Sequence, residues 1–272
     1  MPHLAALYVY PVKSLGGVPV QSATVDALGL VGDRRFMVVD DAGRFLTQRT
    51  LPRMALIRTA LTSDSLQLTQ EGRGSVTVPL APDPAASLRT VSVWKSEGLQ
   101  AEDAGDAAAA WLSDGLATRC RLVRIGSQFR RPVLKAAARA GDTVSFADAY
   151  PFLILSEASL ADLNDRLAGR GEEPLPMNRF RPNLVVTGCA PCAEDTWPRL
   201  QIGAVTFRAG GPCARCVVTT TDQATAERGK EPLRTLATYR RDAEDPTEVN
   251  FGQNLIHETK AGVLRVGDEV RV

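Results

Sequence analysis

Cysteine spacing is the first feature of this chain that could support chemistry. Cys189 and Cys192 form one C-x-x-C pair, and Cys213 and Cys216 form a second, with twenty residues between the pairs. Two such pairs are typical of a zinc site in which four thiolates hold the metal. A four-cysteine ribbon is usually a small unit folded by its metal, whereas these pairs flank a strand pattern in a chain long enough for its own core. The zinc site is therefore one hypothesis among three.

A thiol–disulfide redox pair is the second hypothesis. The thioredoxin-type C-x-x-C motif opens a helix after a strand, and the helix N-terminus lowers the pKa of one thiol. Here the sequence CVVTTTD at 216–222 is rich in β-branched residues. Such a segment predicts a strand rather than a helix, which makes the redox pair the weakest of the three.

The third hypothesis uses one thiolate as a metal ligand or nucleophile. Cys216 is the better candidate, because the neighbouring Arg215 favours a thiolate. The preceding AGGP at 209–212 predicts a tight turn, and its glycines allow the backbone to approach a bulky ligand. Cys120 and Cys189 are interpreted as buried, inert thiols, the commonest state of a free cysteine.

Short strands are the elements expected to position these residues in the first part of the chain. Apolar or alternating runs separated by polar turns predict a β-barrel or sandwich-like unit. The predicted strands lie at 4–12, in pairs around the turn at 40–43, within 56–80 and within 88–103. A helix at 104–116 follows, with apolar residues at helical spacing.

The second part of the chain alternates strands with short helices. Residues 131–150 are irregular and predict a connection between two lobes, so we place the domains at 1–122 and 123–272. Residues 151–171 predict a strand that runs into a helix with Ser156 as its N-cap. Further strands are expected at 178–188, 200–211 and the C-terminus, and a short helix within 231–243. The predicted fold class is mixed α/β and predominantly β.

Charge and hydropathy narrow the classes of partner. The 272 residues carry a net charge of +1, so bulk charge gives no argument for nucleic acid or a membrane surface as a partner. No run of about 18 uncharged apolar residues exists to span a membrane, and the N-terminus lacks the basic flank and cleavage site of a signal peptide. Five cysteines without a secretory context indicate reduced thiols, which predicts a cytoplasmic location.

Motifs spread over nearly the whole chain resemble those of one known family. In order they are YPVKSLGG (10–17), GDRRFMVVD (32–40), PFLILSEASLADLN (151–164), NRFRPNLVV (178–186), AEDTW (193–197), CARCVVTTTD (213–222), KEPLRTLATYR (230–240), FGQNL (251–255) and VGDEV (266–270). Together they resemble the MOSC-domain molybdenum proteins, with the greatest similarity to the mitochondrial amidoxime-reducing component and the YcbX-type bacterial N-hydroxylaminopurine reductases. Each motif alone is weak, but nine in one order are highly specific.

The resemblance implies a β-rich MOSC N-terminal domain, a MOSC β-barrel, and a molybdenum cofactor between them, a pyranopterin dithiolene with a phosphate tail. It implies that the second cysteine of C-x-R-C, Cys216, ligates the metal, and it leaves Cys192 outside the family pattern. The expected cofactor-binding residues are Lys13, Ser14, Arg35, Arg181, Asn183 and Arg215, with Ala149, Tyr150, Ala214 and Asn254 at less secure positions. A soft thiolate suits molybdenum, and arginine forks suit a phosphate.

The activity implied by the resemblance is reductive removal of oxygen from hydroxylamines, amidoximes and N-hydroxylated bases. The chain ends at the MOSC motif without a plant-type C-x4-C-x2-C cluster, so a separate flavin, haem or ferredoxin-type electron donor is expected. Asp195 and His257 are candidates for a general acid by residue type only, and a structural role is commoner for both. The alternative function is a carrier of the cofactor or of sulfur without reductase turnover.

Overall fold

β-strands dominate both halves of the chain. The computed structural model describes residues 1–81 and 85–272. The strands of the first half are β1 (His3–Val9), β2 (Val18–Val20), β3 (Ser22–Asp26), β4 (Gly29–Leu30), β5 (Phe36–Val39), β6 (Arg58–Leu61), β7 (Ser65–Gln70), β8 (Gly74–Pro79), β9 (Leu88–Val93), β10 (Ser96–Asp103) and β11 (Arg121–Arg124). Those of the second half are β12 (Phe152–Ser156), β13 (Leu184–Thr187), β14 (Arg199–Ile202), β15 (Val205–Ala214), β16 (Asn250–His257), β17 (Gly262–Arg265) and β18 (Val270–Arg271).

Helices are short and few beside these strands. The α-helices are α1 (Asp106–Leu116), α2 (Glu157–Ala168) and α3 (Leu233–Leu236), and the 3-10 helices are Pro52–Leu56, Met177–Arg179, Ala193–Thr196 and Val217–Thr220. Among the described residues, no helix has both the length and the apolar character needed to cross a bilayer. The predicted predominantly β fold class is confirmed.

Several predicted elements are confirmed in place. The strand expected at 4–12 is β1, and the helix expected at 104–116 is α1. Residues 131–150 form no strand, as their irregular pattern predicted. Ser156 caps α2, because its side chain accepts a hydrogen bond from the backbone N–H of Ser159 at 3.0 Å and so satisfies an otherwise unpaired donor.

Two predicted strands are wrong. After the turn at 40–43 the chain makes only isolated bridges, Val39 to Phe45 and Arg44 to Ser92, before it turns again at Thr47, so no second strand pairs with β5 there. The segment after Cys216 is the 3-10 helix Val217–Thr220 rather than a strand. There the hydroxyl of Thr219 donates to the carbonyl of Cys216 at 2.9 Å. This hydrogen bond stabilises the helical turn although its residues are β-branched.

The largest sheet joins strands from both halves of the sequence. Its order within the described chain is β18-β14-β15-β16-β12-β13-β1-β2. β1 runs antiparallel to β13, with Leu7 opposite Leu184, and β12 runs parallel to β13, with Ile154 opposite the same Leu184. The residues that follow β1 and those that precede β12 and β13 therefore meet at one end of the sheet.

The remaining strands form three smaller sheets, one of which includes β17 from the second half of the chain. A four-stranded sheet has the order β5-β11-β10-β9, and three-stranded sheets have the orders β17-β3-β4 and β6-β7-β8. β1 pairs with β13, and β3 pairs with β17. Because both pairings cross the boundary predicted at residue 122, the two parts of the sequence share strands, and their surfaces are held together by backbone hydrogen bonds.

Buried apolar side chains fix this arrangement. The largest cluster includes Leu7, Phe152 and Phe207, each at most 1% exposed. A second cluster surrounds α1 and includes Leu112 and Phe36. Burying one such side chain contributes about 1.5–3 kcal/mol. The segments that leave β1 and enter β5 are thus anchored at both ends, which positions the loops between them.

His257 should make the stability of the fold depend on pH. Its ring is fully buried, Nε2 donates to the carbonyl of Asp26 at 2.7 Å, and Nδ1 has no partner among the described residues. Burial lowers the pKa of His257 to about 4, from an ordinary value of 6.5. Between these values the unfolded chain binds the proton more readily, so the free energy of unfolding falls as the pH decreases from 6.5 to 4, by roughly 3 kcal/mol.

Urea unfolding at pH 7 and at pH 4.5 measures this loss. The variant His257→Gln, which does not titrate, should show a shallower loss than the natural chain over the same interval. The control is His3→Gln, because His3 is exposed on β1 and its replacement should leave the dependence unchanged. Equal slopes in the natural chain and His257→Gln would contradict the assignment.

Candidate cofactor site

A cavity of about 360 Å³ lies where the two parts of the sequence meet. Its size falls within the usual range for a site that binds a small molecule or cofactor. All the site residues predicted from the sequence, except Arg35, line this cavity: Lys13, Ser14, Ala149, Tyr150, Arg181, Asn183, Ala214, Arg215, Cys216 and Asn254. The fold therefore brings together residues that lie up to about 240 positions apart in the sequence.

Arg35 is the predicted residue that the structure places elsewhere. Its Nη2 donates to Oδ1 of Asp26 at 2.7 Å and to the carbonyl of Leu30 at 3.1 Å, away from the cavity lining. Arg34 lines the cavity instead. Arg34 has a left-handed backbone, with a φ of 47°, in the turn before β5, so the two adjacent arginines point in different directions and only Arg34 faces the cavity. The expectation for Arg35 is corrected in favour of Arg34.

The lining of the cavity is strongly cationic. Its basic residues are Lys13, Arg34, Arg49, Lys135, Arg181 and Arg215, and Asp148 is its one acidic residue in the part of the chain that the structure describes. Like charges gathered in a concave site repel one another unless an anion joins them. The arrangement therefore fits a ligand with more than one negative charge.

Arg181 shows this need for an anion most clearly. Within residues 1–81 and 85–272 its guanidinium makes no salt bridge, and its Cζ lies over the ring of Tyr10, 4.3 Å from the centroid. Burial lowers the pKa of Arg181 to about 10, and the charge of Arg34 acts in the same direction. The group is still a cation at neutral pH. A desolvated charge without a partner is costly, and an anionic ligand would relieve that cost.

Cys213 and Cys216 both line the cavity, beside Arg215. The Nη1 of Arg215 donates to Sγ of Cys213 at 3.0 Å, and its Nη2 donates to the carbonyl of Phe180 at 2.7 Å. Its Nε is buried and finds no partner among the described residues. The sequence predicted Arg215 as a neighbour of Cys216, but its direct contact is with Cys213. The structure thus brings two thiols and a guanidinium to one wall.

Lys13 and its partners form another part of the lining. Lys13 is 5% exposed, and its Nζ donates to the carbonyl of Phe146 at 2.9 Å and to the carboxylate of Asp148. Burial lowers the pKa of Lys13 to about 8, although Asp148 favours its charged form. Lys13 therefore stays mainly protonated at neutral pH and adds to the positive charge of the site.

Arg131 is buried next to Lys13 and Asp148 and supports the loop at 145–148. It is 3% exposed, and it donates to the carbonyls of Ser145 at 2.6 Å and of Asp148 at 2.9 Å. These bonds fix the loop that carries Ala149 and Tyr150 into the cavity. Sequence reasoning missed both Arg131 and Asp148. The position of Asp148, directly before the predicted Ala149, was the available signal for one of them.

The two predicted asparagines are bonded to the protein itself. Asn183 accepts from Nη1 of Arg34 at 3.1 Å and donates to the carbonyl of Tyr8 at 3.1 Å. Asn254 donates to the carbonyls of Gly211 at 3.2 Å and Pro212 at 3.1 Å. Their amides therefore shape the walls next to Arg34 and next to the cysteine pair.

Left-handed backbone conformations are concentrated at the cavity. Ser14, Arg34 and Arg181 line it with φ angles of 66°, 47° and 57°. Residues other than glycine rarely adopt such angles, and each costs on the order of 1–3 kcal/mol. Strain of this kind is typical of functional sites, where it aims a side chain that a relaxed backbone would direct elsewhere.

The first C-x-x-C pair lies away from this lining. Burial raises the pKa of both Cys189 and Cys192, and the backbone N–H of Cys192 donates to Oγ of Ser159 at 2.8 Å. In the described chain, no three or more His, Cys, Asp or Glu side chains are grouped to hold a metal ion. The four-cysteine zinc hypothesis thus finds no assembled ligand set. Cys120 is 1% exposed and lies in the core.

Neither residue considered as a general acid lies at the cavity. Asp195 pairs with Nη2 of Arg240, and His257 bonds to Asp26. A larger cavity, of about 470 Å³, lies beside Arg179 and contains none of the predicted site residues. Its basic and acidic lining residues are equal in number among those described, so it lacks the excess of positive charge found around Cys216.

Fold and cavity together define a predominantly β protein with a cationic, thiol-lined site between its two parts. The chain matches the MOSC N-terminal beta barrel domain over residues 1–119 and the MOSC domain over residues 141–271. It therefore belongs to the MOSC-domain proteins, and the predicted order of these two domains is confirmed. The division at residue 122 stays a prediction.

Named relatives resemble the chain over nearly its whole length. Mitochondrial amidoxime-reducing component 1 of Mus musculus is 38% identical over 98% of this chain and 81% of its own length. The Homo sapiens protein of the same name is 37% identical over 98% of this chain and 82% of its own length. Molybdenum cofactor sulfurase of Danio rerio is 34% identical over 98% of this chain, which spans 34% of that relative.

These relatives correct the predicted location. The amidoxime-reducing components are named as mitochondrial proteins, so the prediction of a cytoplasmic location is wrong. That prediction depended on the residues at the start of the sequence and on the state of the thiols. Neither feature decides between compartments in which cysteines stay reduced.

Proposed function

We propose that this chain is a molybdenum cofactor-dependent reductase of N-hydroxylated compounds, with Cys216 as the protein ligand of the metal. The observation that carries the proposal is one cavity that combines Cys216 with an excess of basic side chains. The substrate class is hydroxylamines, amidoximes and N-hydroxylated bases. It is suggested by the relatives named for amidoxime reduction and by the family motifs.

The residues present fit a molybdenum cofactor. A pyranopterin dithiolene with a phosphate tail is anionic, and it needs cations, hydrogen-bond donors and a soft metal ligand. Arg181 supplies a cation without a carboxylate partner in the described chain, and Arg215 supplies a buried Nε donor that no described atom accepts. Cys216 supplies a thiol at the same cavity.

In this proposal the lining residues have different roles. Cys216 would hold the metal, while Arg34, Arg181 and Arg215 would bind the phosphate and pterin side. Bidentate guanidinium contacts would fix the orientation of the ligand as well as its charge. Asp148 and Arg131 would hold Lys13 and the Ala149–Tyr150 loop in place. The cofactor, when bound, supplies the two-electron chemistry of N–O bond reduction.

A separate electron-donor protein completes the proposal. Reduction of an N–O bond consumes two electrons, and the described chain offers no cluster of metal ligands that could relay them. The relatives are called components, which suits a system of several proteins. We expect a donor of the flavin, haem or ferredoxin type.

Metal and pterin analysis, followed by a turnover assay, tests the proposed function. Protein expressed in a molybdenum-replete host should contain about one molybdenum per chain, as a single-ligand site predicts. It should then reduce benzamidoxime with a chemical reductant. One zinc per chain and no molybdenum would contradict the proposal.

The second candidate function is a carrier of the cofactor or of sulfur. The similarity to a protein named molybdenum cofactor sulfurase favours it. A carrier would contain molybdenum and pterin, yet it would not turn over several different N-hydroxylated substrates under the same reducing conditions. Turnover of any of them at a catalytic rate would exclude a role as a carrier alone.

A further inference from the structure

Tyr10 lies under two of the arginines that line the cavity. It is 2% exposed, and the Cζ atoms of Arg34 and Arg181 each lie 4.3 Å from the centroid of its ring. The two guanidinium carbons can therefore be no more than twice that distance apart. Each contact is a cation–π interaction, which is stronger where the ring is shielded from water. One aromatic ring thus gathers two like charges that would otherwise repel each other.

Hydrogen bonds lock the ring and Arg34 in place. The backbone N–H of Tyr10 donates to Oδ1 of Asp33 at 2.8 Å, and both carboxylate oxygens of Asp33 accept from Nη1 of Arg34. The hydroxyl of Tyr10 donates to the carbonyl of Pro182 at 3.2 Å, next to Arg181 in the chain. Burial raises the pKa of Tyr10 to about 12, so the hydroxyl remains a neutral donor.

The ring of Tyr10 packs against Gly17, where the absence of a side chain makes room for it. A Cβ atom at Gly17 would lie 2.4 Å from Cε1 of Tyr10, closer than two carbon atoms can approach. A methyl group there would displace the ring while leaving Tyr10, Arg34 and Arg181 unchanged in sequence. The position of the ring can therefore be tested without altering the residues that contact the ligand.

We propose that Tyr10 is a positioning residue that holds Arg34 and Arg181 as a clamp for a doubly charged phosphate group. A phosphate monoester carries about −1.5 to −2 charges at pH 7, which favours a site with more than one guanidinium group. Arg181 has no carboxylate partner among the described residues, whereas Nη1 of Arg34 is occupied by Asp33, so Arg34 would bind phosphate oxygens through its remaining N–H groups. Identification of the phosphate as that of the pterin rests on the proposed function, but the clamp itself does not.

Calorimetric titration with inorganic phosphate tests the clamp on the full chain expressed without molybdate. Tyr10→Leu, which keeps apolar bulk but removes the ring, should weaken phosphate binding about tenfold, the loss expected for two cation–π contacts. Tyr10→Phe keeps the ring and should restore most of the affinity. Gly17→Ala should weaken binding as Tyr10→Leu does. The pterin content of the same variants, expressed with molybdate, should follow the same order.

Gly16→Ala is the matched control. Its added Cβ would face the carbonyl of Ile57 at 3.1 Å rather than Tyr10, so phosphate affinity should stay near that of the natural chain. If Tyr10→Leu does not fold cooperatively, the phosphate affinities of Gly17→Ala and Gly16→Ala are compared instead to test the role of the Tyr10 ring. Equal affinity in those two variants, or no phosphate binding by the natural chain, would overturn the clamp.

The outcomes separate the clamp from the proposed function. Phosphate binding with the expected order of variants, in a chain that never contains molybdenum, would leave the clamp standing and remove the reductase proposal. Molybdenum and turnover in a natural chain whose Tyr10→Leu variant binds phosphate normally would do the reverse. An order in which Tyr10→Phe is as weak as Tyr10→Leu would assign the effect to the hydroxyl bond to Pro182 and overturn the clamp.

Discussion

Cys216→Ser is expected to remove molybdenum from the purified protein and to lower its N-hydroxy reductase activity. A serine hydroxyl is a hard, neutral group at pH 7, whereas the metal requires a soft, anionic ligand. Loss of an outer-shell partner already costs about 10–100-fold, so loss of the ligand itself should exceed about 100-fold. Metal analysis and single-turnover kinetics on the same preparation measure both effects.

Three matched cysteine variants make this prediction specific. Cys192→Ser and Cys120→Ser change the same atom at positions outside the cavity lining, and each should retain most of the molybdenum and activity. Cys213→Ser distinguishes the two thiols that share the cavity with Arg215. If Cys213→Ser lost the metal while Cys216→Ser kept it, the ligand would be Cys213. Equal damage from Cys192→Ser would contradict a single-thiolate site.

Arg181→Gln is expected to lower cofactor retention without lowering the stability of the cofactor-free chain. The replacement removes the cation–π contact with Tyr10, but it also removes a desolvated charge that has no carboxylate partner among the described residues and that repels Arg34, so the effects should offset each other. The lost charge-assisted hydrogen bonds to a phosphate should cost about 10–100-fold in affinity. Pterin content and thermal unfolding of cofactor-free protein measure the two effects separately.

Arg35→Gln is the control for that prediction. Arg35 belongs to the same family motif as Arg34, but it pairs with the half-exposed Asp26 outside the cavity. Its replacement should leave the pterin content unchanged, since an exposed ion pair contributes about 1 kcal/mol or less and none of it to the ligand. A loss of pterin in Arg35→Gln equal to that in Arg181→Gln would mean that the motif, rather than the geometry, identifies the anion site.

Most of the fold could be predicted from periodicity. The strands β1, β12 and β16 could be predicted from short alternating or apolar runs in the sequence. The helix α2 could likewise be predicted from its N-cap, Ser156, and from the helical spacing of its apolar residues. The error after Cys216 had a specific cause. β-branched residues favour a strand on average, but the threonine hydroxyls after Cys216 bond back to the carbonyls of the preceding turn, as Thr219 does with Cys216 itself.

The site could be predicted only as a set of residues. The resemblance to the family motifs indicated Lys13, Arg181 and Cys216, and the structure gathers all three at one cavity. The choice between Arg34 and Arg35 depends on a left-handed φ at Arg34, which the letters RR do not encode. Arg131 was missed because its partners, the hydroxyl of Ser96 and backbone carbonyls of the loop at 145–148, become its neighbours only after folding.

The sequence by itself determined that the fold is predominantly β and that the chain belongs to the MOSC-domain proteins. It also determined which residue types are available to bind an anionic ligand that contains a metal. These follow from local patterns and from the order of motifs along the chain. Only the tertiary structure decided which arginine faces the cavity, that Arg215 touches Cys213, and that Tyr10 carries two guanidinium groups. The contact of Tyr10 with Arg181 forms only when β1 pairs with β13, and the directions of Arg34 and Arg215 depend on backbone geometry that no local sequence pattern specifies.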